Sequence, residues 1–395
     1  MGVIGAPHGM GMAVSASSSS MLAFCSIVLV VRRAVQVTAS KRPLYSLSDA
    51  PPPSLMESFR LCPEDVESLR SQYMSKSCSV SYKNSGPLHI SHGYKSRLVD
   101  VNGIEYLDTR NNVSHVGHEH PEVVHAITHQ AKLLQTNTRY LHPHASLLAK
   151  KLSDMLPGSL EKVFFVNSGS EANDLALRLA RAYRMQQQSR HDGSTHDEST
   201  DCIIAIDHGY HGHTLSVLDV SPYKHRQGKE IVKCPAHVKL VPCPAVYRGI
   251  HSVNYNSDGR SQHSNGKQYC NSELEAADQY ASYVELECKQ NPISAFIVEG
   301  GMSVAGVILP PQSYLRQCID AVHGAGGLYI ADEVQTGFGR LGKCMWAFQH
   351  SNEEDKEYNP IIPDIVTGML ISMMSAGATF TVIHSLICCS WEAFW

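Results

Sequence analysis

A strand that runs into a helix through a turn of small residues limits a chain more than any other stretch here. The apolar run Val163–Val166 is followed by Asn167-Ser168-Gly169-Ser170, and from Glu171 apolar side chains recur at Ala172, Leu175, Leu179 and Tyr183. The run predicts a short buried strand and the recurrence predicts one face of a helix. Such a junction leaves first-turn N–H groups without intrahelical partners, at the end where the helix dipole favours an anion. Ser168 and Ser170 add hydroxyl groups, and Gly169 permits close approach. The same residues also suit an ordinary capped helix, so the stretch alone leaves both readings open.

The rest of the chain fits around that junction. Pro51-Pro52-Pro53 marks a boundary, and residues 56–76 predict an amphipathic helix carrying Leu61, Val66, Leu69 and Met74. Leu88 to Leu107 reads as small strands with a turn at Asn102-Gly103. Helices are predicted within 115–134 and over 146–155. A polar insertion is expected from Met185 to Thr200, and a second from Asn254 to Gly266. Strands at Cys202–Ile206, Val238–Val241, Ser294–Val298 and Leu328–Ala331 alternate with helices at 272–288 and 314–323. Continuous apolar strands between helices predict an α/β fold with a mainly parallel sheet covered on both faces. Ligands in such sheets bind beyond the carboxyl ends of the strands.

Size and charge narrow the function. A chain of 395 residues with 43% hydrophobic content supports a sizeable core, and a net charge of -4 with 18% charged residues points away from nucleic acid. The 12 cysteines include no C-x-x-C pair and read as mostly reduced. The apolar run Met21–Val31 is too short to span a bilayer, and Arg32-Arg33 follows it rather than preceding it. Residues 1–55 are therefore set apart from the fold, as a mitochondrial-type targeting segment or an over-extended start of a cytoplasmic protein.

Two further stretches carry chemistry. Asp207-His208-Gly209-Tyr210-His211-Gly212-His213 sets an aromatic ring among glycines, where a flat cofactor has room to stack. Asp332-Glu333-Val334-Gln335-Thr336-Gly337-Phe338-Gly339-Arg340 places a carboxylate at a strand end, suited to a ring nitrogen. A phosphate turn, a stacking ring and an acid for a pyridine nitrogen together form the protein's share of pyridoxal phosphate chemistry. Two rivals are weighed against this. His115, His118 and His120 share a spacing with His208, His211 and His213, which suggests a metal-dependent hydrolase. The absence of G-x-G-x-x-G at the turn speaks against a nicotinamide or flavin enzyme.

These stretches resemble the class-III, or omega, aminotransferase family over about Leu69 to Thr367. Asn111-Asn112-Val113-Ser114-His115-Val116-Gly117-His118, Thr136-Asn137-Thr138-Arg139-Tyr140-Leu141-His142 and Trp346-Ala347-Phe348-Gln349 are most similar to its ethanolamine-phosphate and phosphohydroxylysine phospho-lyase branch. The resemblance implies a fold-type I architecture, with 56–114 as the start of a small domain, 115–367 as an incomplete cofactor-binding domain and 368–395 as a divergent tail. It implies pyridoxal 5′-phosphate as cofactor, small amines or phosphoamines as substrates, and a homodimer in complete members. It places Ser168, Gly169 and Ser170 at the cofactor phosphate, Tyr210 on the ring, Asp332 at its nitrogen and Gln335 near its hydroxyl. Glu299 matches an acid in the preceding strand, although Gly300-Gly301 departs from the family pattern. Asn112, Arg139 and Tyr140 fall on the substrate side.

One residue breaks the pattern. In the resembled family a lysine follows a Pro-Asp-Ile-Val-Thr stretch by three residues, forms the Schiff base with the cofactor and moves the substrate proton. This chain has Pro363-Asp364-Ile365-Val366-Thr367 and then Gly368-Met369-Leu370. Lys343 and Lys356 are poor substitutes by position. The family's later phosphate-contacting threonine and C-terminal small domain are also unmatched, as in a truncated or alternatively spliced form. The expectation is an aminotransferase-like chain, transaminase or phospho-lyase in type, that is inactive by itself or serves as a non-catalytic partner subunit.

Overall fold

The computed structural model describes residues 61–82, 86–111, 115–134, 139–192, 201–225, 234–253, 269–352, 360–369 and 379–384. Residues 1–55, Asn112, Lys356, Leu370 and the expected insertion at 254–266 lie outside them. The chain divides into two compact units, Met1–Asn111 with Val116–Gln135 and Asn112–His115 with Thr136–Trp395.

In the first unit, helix α1 spans Pro63–Tyr73, with Glu64 and Asp65 in its first turn. Proline at the first helical position loses no hydrogen bond, and acids there complement the dipole. Strands β1 (Ile90–Tyr94), β2 (Arg97–Asp100) and β3 (Glu105–Leu107) form an antiparallel sheet in that order. The predicted turn at Asn102-Gly103 is held by Asp100 Oδ1, which accepts from the N–H groups of Asn102 (2.9 Å) and Ile104 (2.8 Å). Helix α2 covers Pro121–Leu133, its start set by the proline.

The second unit opens with α3 (Pro143–Asp154), β4 (Leu160–Val166), α4 (Gly169–Asp192) and β5 (Cys202–Ile206). Short helices α5 (Leu215–Asp219) and α6 (Pro222–His225) lead to β6 (Val238–Val241), α7 (Glu273–Gln290) and β7 (Ile293–Glu299). Then follow α8 (Tyr314–Gly324), β8 (Leu328–Glu333), a 3-10 turn at Ala347–Asn352, β9 (Ile365–Met369) and β10 (Thr379–His384). The sheet order is β4-β10-β9-β8-β7-β5-β6. Strands β9, β8, β7, β5 and β6 run parallel, and β10 is antiparallel to β4 and β9.

Strands β5, β7 and β8 are buried at every residue, which is why they read as unbroken apolar runs. On one face Ala176, Leu177, Leu179 and Ala180 of α4 pack with Ile203, Ile297 and Ile330. On the other, Tyr280 and Val284 of α7 and Leu315 and Val322 of α8 pack with Phe296 and Tyr329. Each fully buried large side chain of this kind contributes about 1.5–3 kcal/mol.

One sequence expectation changes here. Of the residues expected in an insertion from Met185, those up to Asp192 belong to α4. In the segment set apart by sequence as a divergent tail, β9 continues to Met369 and 379–384 form a strand between β9 and β4. The run Thr379-Phe380-Thr381-Val382-Ile383 has the β-branched and aromatic content that suits a strand.

Candidate functional site

Register places the site. Across β7, β8 and β9, Glu299 pairs with Asp332 and Asp332 with Thr367, so three polar residues form a row at the carboxyl end of the sheet. Their side chains share the face covered by α4, whose Asn173 completes the group. The Asn173 Nδ2 donates to Asp332 Oδ2 (2.8 Å) and to the His211 carbonyl (2.7 Å), while its Oδ1 accepts from the Thr367 hydroxyl (2.6 Å). A hydroxyl bound to the amide oxygen leaves the NH₂ end for the carboxylate.

Asp332 is 4% exposed and would be costly to bury alone. Its Oδ2 also accepts from His211 Nδ1 (2.8 Å), and its Oδ1 accepts from the Val334 N–H (3.0 Å). A carboxylate offers about four acceptor positions, so Oδ1 keeps one for a further N–H. Burial draws the His211 pKa down, but the bond and charge of Asp332, with the charge of Glu299, outweigh it and hold the ring above its ordinary value. The buried His211 Nε2 has no partner among the described residues.

The serine turn is built as a capped helix start. Ser168 Oγ accepts from the Glu171 N–H (3.1 Å), and Glu171 Oε2 accepts from the Asn167 N–H (2.6 Å). This resembles a capping box, with the glutamate reaching one residue further back. Two other motifs press against the turn. A Cβ on Gly169 would lie 2.7 Å from Val334 Cγ1, and one on Gly212 would lie 2.5 Å from Ser170 Oγ. Gly212 also has a φ of +134°. Ser170 Oγ accepts from the His213 N–H (3.1 Å), which leaves its own proton to donate.

Glu299 joins β7 to the Tyr210 loop by accepting from the Tyr210 N–H (3.1 Å). Burial pushes its carboxyl up to about 7, with Asp332 adding to the rise and His211 opposing it. The Tyr210 ring meets Tyr223 edge-on at 6.4 Å, and burial raises its phenol pKa. Gln335 accepts at Oε1 from the Ser303 hydroxyl.

Gly169, Ser170, Tyr210, Glu299, Asp332 and Gln335 therefore line one cleft of about 160 Å³, with Asn173 and His211 in its wall. Ser168 sits behind it as the helix cap. Arg139 and Tyr140 are exposed and do not line this cleft, and Lys343 is exposed after Gly342. The cleft suits a flat ring that bears an anion and a protonated nitrogen. The serine turn meets the anion, Asp332 keeps an acceptor for the nitrogen, and the two glycines leave space that a Cβ would fill.

Three histidines of the two triplets have other partners. His211 is committed to Asp332, and His118 Nε2 donates to Asp108 Oδ2 at 2.7 Å. His115 contacts the Gly337 carbonyl (3.3 Å) through Nε2 and Arg340 (3.2 Å) through Nδ1. Among the described residues no group of three histidine, cysteine, aspartate or glutamate side chains is placed to hold a metal. The sequence reading gave no role to Asn173 or Thr367 and gave His211 only a metal-binding one. Asn173 had a signal, as a polar residue on the otherwise apolar buried face of a helix.

The family model for aminotransferase class-III matches residues 79–385. A relative from Drosophila melanogaster, "Alanine--glyoxylate aminotransferase 2-like", is 41% identical over 318 residues, covering 79% of this chain and 56% of that protein. A relative from Caenorhabditis elegans, "Ethanolamine-phosphate phospho-lyase homolog 1", is 35% identical over 307 residues, covering 77% and 59%. This chain thus spans little more than half the length of these two relatives. A solved phospholyase from Arthrobacter, in complex with phosphoethanolamine, aligns with a TM-score of 0.65 at 28% identity, covering 84% of this chain and 68% of its own.

Proposed function

The chain belongs to the class-III aminotransferase family, whose members depend on pyridoxal 5′-phosphate, and on that premise we propose that its cleft holds this cofactor without a covalent bond to the protein. The observation that carries the reading is the buried Asp332, fixed by Asn173, His211 and the Val334 N–H with one acceptor position left over. Ser170 and the first-turn N–H groups of α4 bind the phosphate. Tyr210 covers the ring, and Gln335 meets the ring oxygen. Asp332 holds a proton on the ring nitrogen, and His211, bonded to its Oδ2, is positively biased beside it. When bound, the cofactor supplies an electron sink for chemistry at the α-carbon of amines.

The names of the relatives point to two chemistries, amino transfer and phosphate elimination, and so to small amines or phosphoamines as the class of compound that reaches this cleft. We propose that this chain by itself performs neither. A hydrocarbon at Leu370 neither attaches a cofactor nor moves a proton. A supporting role beside a subunit that carries the lysine fits the residue at this position. Mitochondrial forms among the relatives support a mitochondrial address, which import into isolated mitochondria tests.

The test of the cofactor reading is an absorbance titration of the purified chain with pyridoxal phosphate, then borohydride reduction and intact mass. Saturable binding with no reduced adduct is expected. A single adduct at one lysine overturns the non-covalent reading, and a folded chain with no saturable binding overturns the cofactor itself.

A further inference from the structure

Ser303 lies outside the cleft lining, yet it touches two residues that line it. Its hydroxyl donates to Gln335 Oε1, and its backbone N–H bonds to the Glu299 carboxylate. Its carbonyl accepts from the N–H groups of Gly306 (3.1 Å) and Val307 (3.2 Å). The loop that carries it is closed by paired bonds between Met302 and Ile308 (2.9 and 3.1 Å), and Met302 is buried. The hydroxyl proton, N–H and carbonyl of Ser303 are thus all engaged, and its backbone lies in a short loop closed by Met302 and Ile308.

A glutamine amide presents a different group at each end, an acceptor oxygen and a doubly donating nitrogen. Left free, Gln335 would turn either end toward a ligand. A serine hydroxyl both donates and accepts, but a bond to Oε1 uses its proton, because that oxygen has none to give. The Nε2 end is then the one offered to the cleft.

We propose that Ser303 is a positioning residue that turns the Gln335 amide so that its N–H groups meet the ring oxygen of the bound pyridine, selecting the ionised form of that oxygen. The proposal rests on the cofactor reading above. Donors aimed at an oxygen favour its anionic state over its protonated one. Ser303 touches no ligand and acts only through Gln335. Its N–H to Glu299 comes from the backbone, so a side-chain substitution separates the two connections.

The probe is 4′-deoxypyridoxine 5′-phosphate, which has the ring oxygen and the phosphate but no aldehyde, so no lysine affects the result. Its ultraviolet spectrum reports ionisation of the ring oxygen across a pH titration of the bound complex. Relative to the native chain, Ser303→Ala is expected to raise the apparent pKa of the bound ring oxygen by about one unit. The same change is expected to weaken binding about fivefold to tenfold. Ser303→Thr, which keeps the hydroxyl, restores both. In a double-mutant cycle, Ser303→Ala adds nothing once Gln335→Ala is present. A Ser303→Ala chain that loses affinity or thermal stability with an unmoved spectral titration overturns the proposal, since a loop-packing role would do the same. If the native chain does not bind the probe, the cofactor reading itself fails and takes this inference with it.

Discussion

Two helices of the second unit begin with the same five-residue pattern and come to different ends. Before α4 the chain reads Asn167-Ser168-Gly169-Ser170-Glu171, and before α7 it reads Asn271-Ser272-Glu273-Leu274-Glu275. Ser272 Oγ accepts from the Glu275 N–H at 3.1 Å and Glu275 Oε2 from the Asn271 N–H at 2.7 Å, nearly repeating the bonds around Ser168. The caps are equivalent, so the cap is not what makes a site. The difference lies between serine and glutamate. Gly169 and Ser170 put no charge and little bulk at the first turn of α4, whereas Glu273 sets an anion at the first turn of α7 and Leu274 is 60% exposed. An acid there already satisfies the dipole that a phosphate would use. The first turn of α4 is also enclosed by Val334 and Gly212.

The sharpest way to break this contrast is to give α4 the first turn of α7. Gly169→Glu adds a carboxylate where the phosphate is proposed and a Cβ 2.7 Å from Val334 Cγ1. Affinity for pyridoxal phosphate is expected to fall roughly 100-fold or more. Glu273→Gly at the other helix is expected to leave it within about twofold. Fluorescence titration of both variants measures the difference. A smaller loss follows from Ser170→Ala, which removes one donor to an anion and should weaken binding about tenfold in the same assay. Equal binding by this variant and the native chain would remove Ser170 from the site. The smallest effect tests the equivalence itself. Ser168→Ala and Ser272→Ala should each cost about 1 kcal/mol by urea unfolding, and only Ser168→Ala should also alter affinity.

Much of the fold could be read because the strands are buried on both faces. Cys202–Ile206 and Val238–Val241 have the predicted limits, and the other apolar strands were located within a few residues. Strand β10 escaped because it pairs with β4 and β9, and its place depends on partners distant in sequence. At the site, Asp332 stood out as an acid at a strand end, but Glu333 beside it is buried just as deeply. Glu333 faces the other side of the sheet, where the N–H groups of Ala347 and Phe348 (2.9 Å each) and the Thr336 hydroxyl (3.0 Å) bond to it. It braces the 3-10 turn. Which of two neighbouring acids meets a ligand is decided by strand alternation and by the acceptor positions its partners leave open, neither of which a single letter carries. Asn173 and Thr367 were hidden because their role is to orient Asp332 across three separate segments.

The position of β10 also bears on how the protein is made. Strand β4 feeds the serine turn, and among the described residues its sheet partner is β10. On the ribosome, residues 160–166 emerge long before 379–384, so the strand beneath the serine turn is made well ahead of the strand that pairs with it. Strand β9, which carries Thr367, appears almost as late. The turn, Asn173 and the Tyr210 loop are therefore translated before β9, which completes the row of polar residues, and β10, which pairs with β4. A strand edge without its partner is a template for aggregation, so the long interval between the two strands favours misassembly.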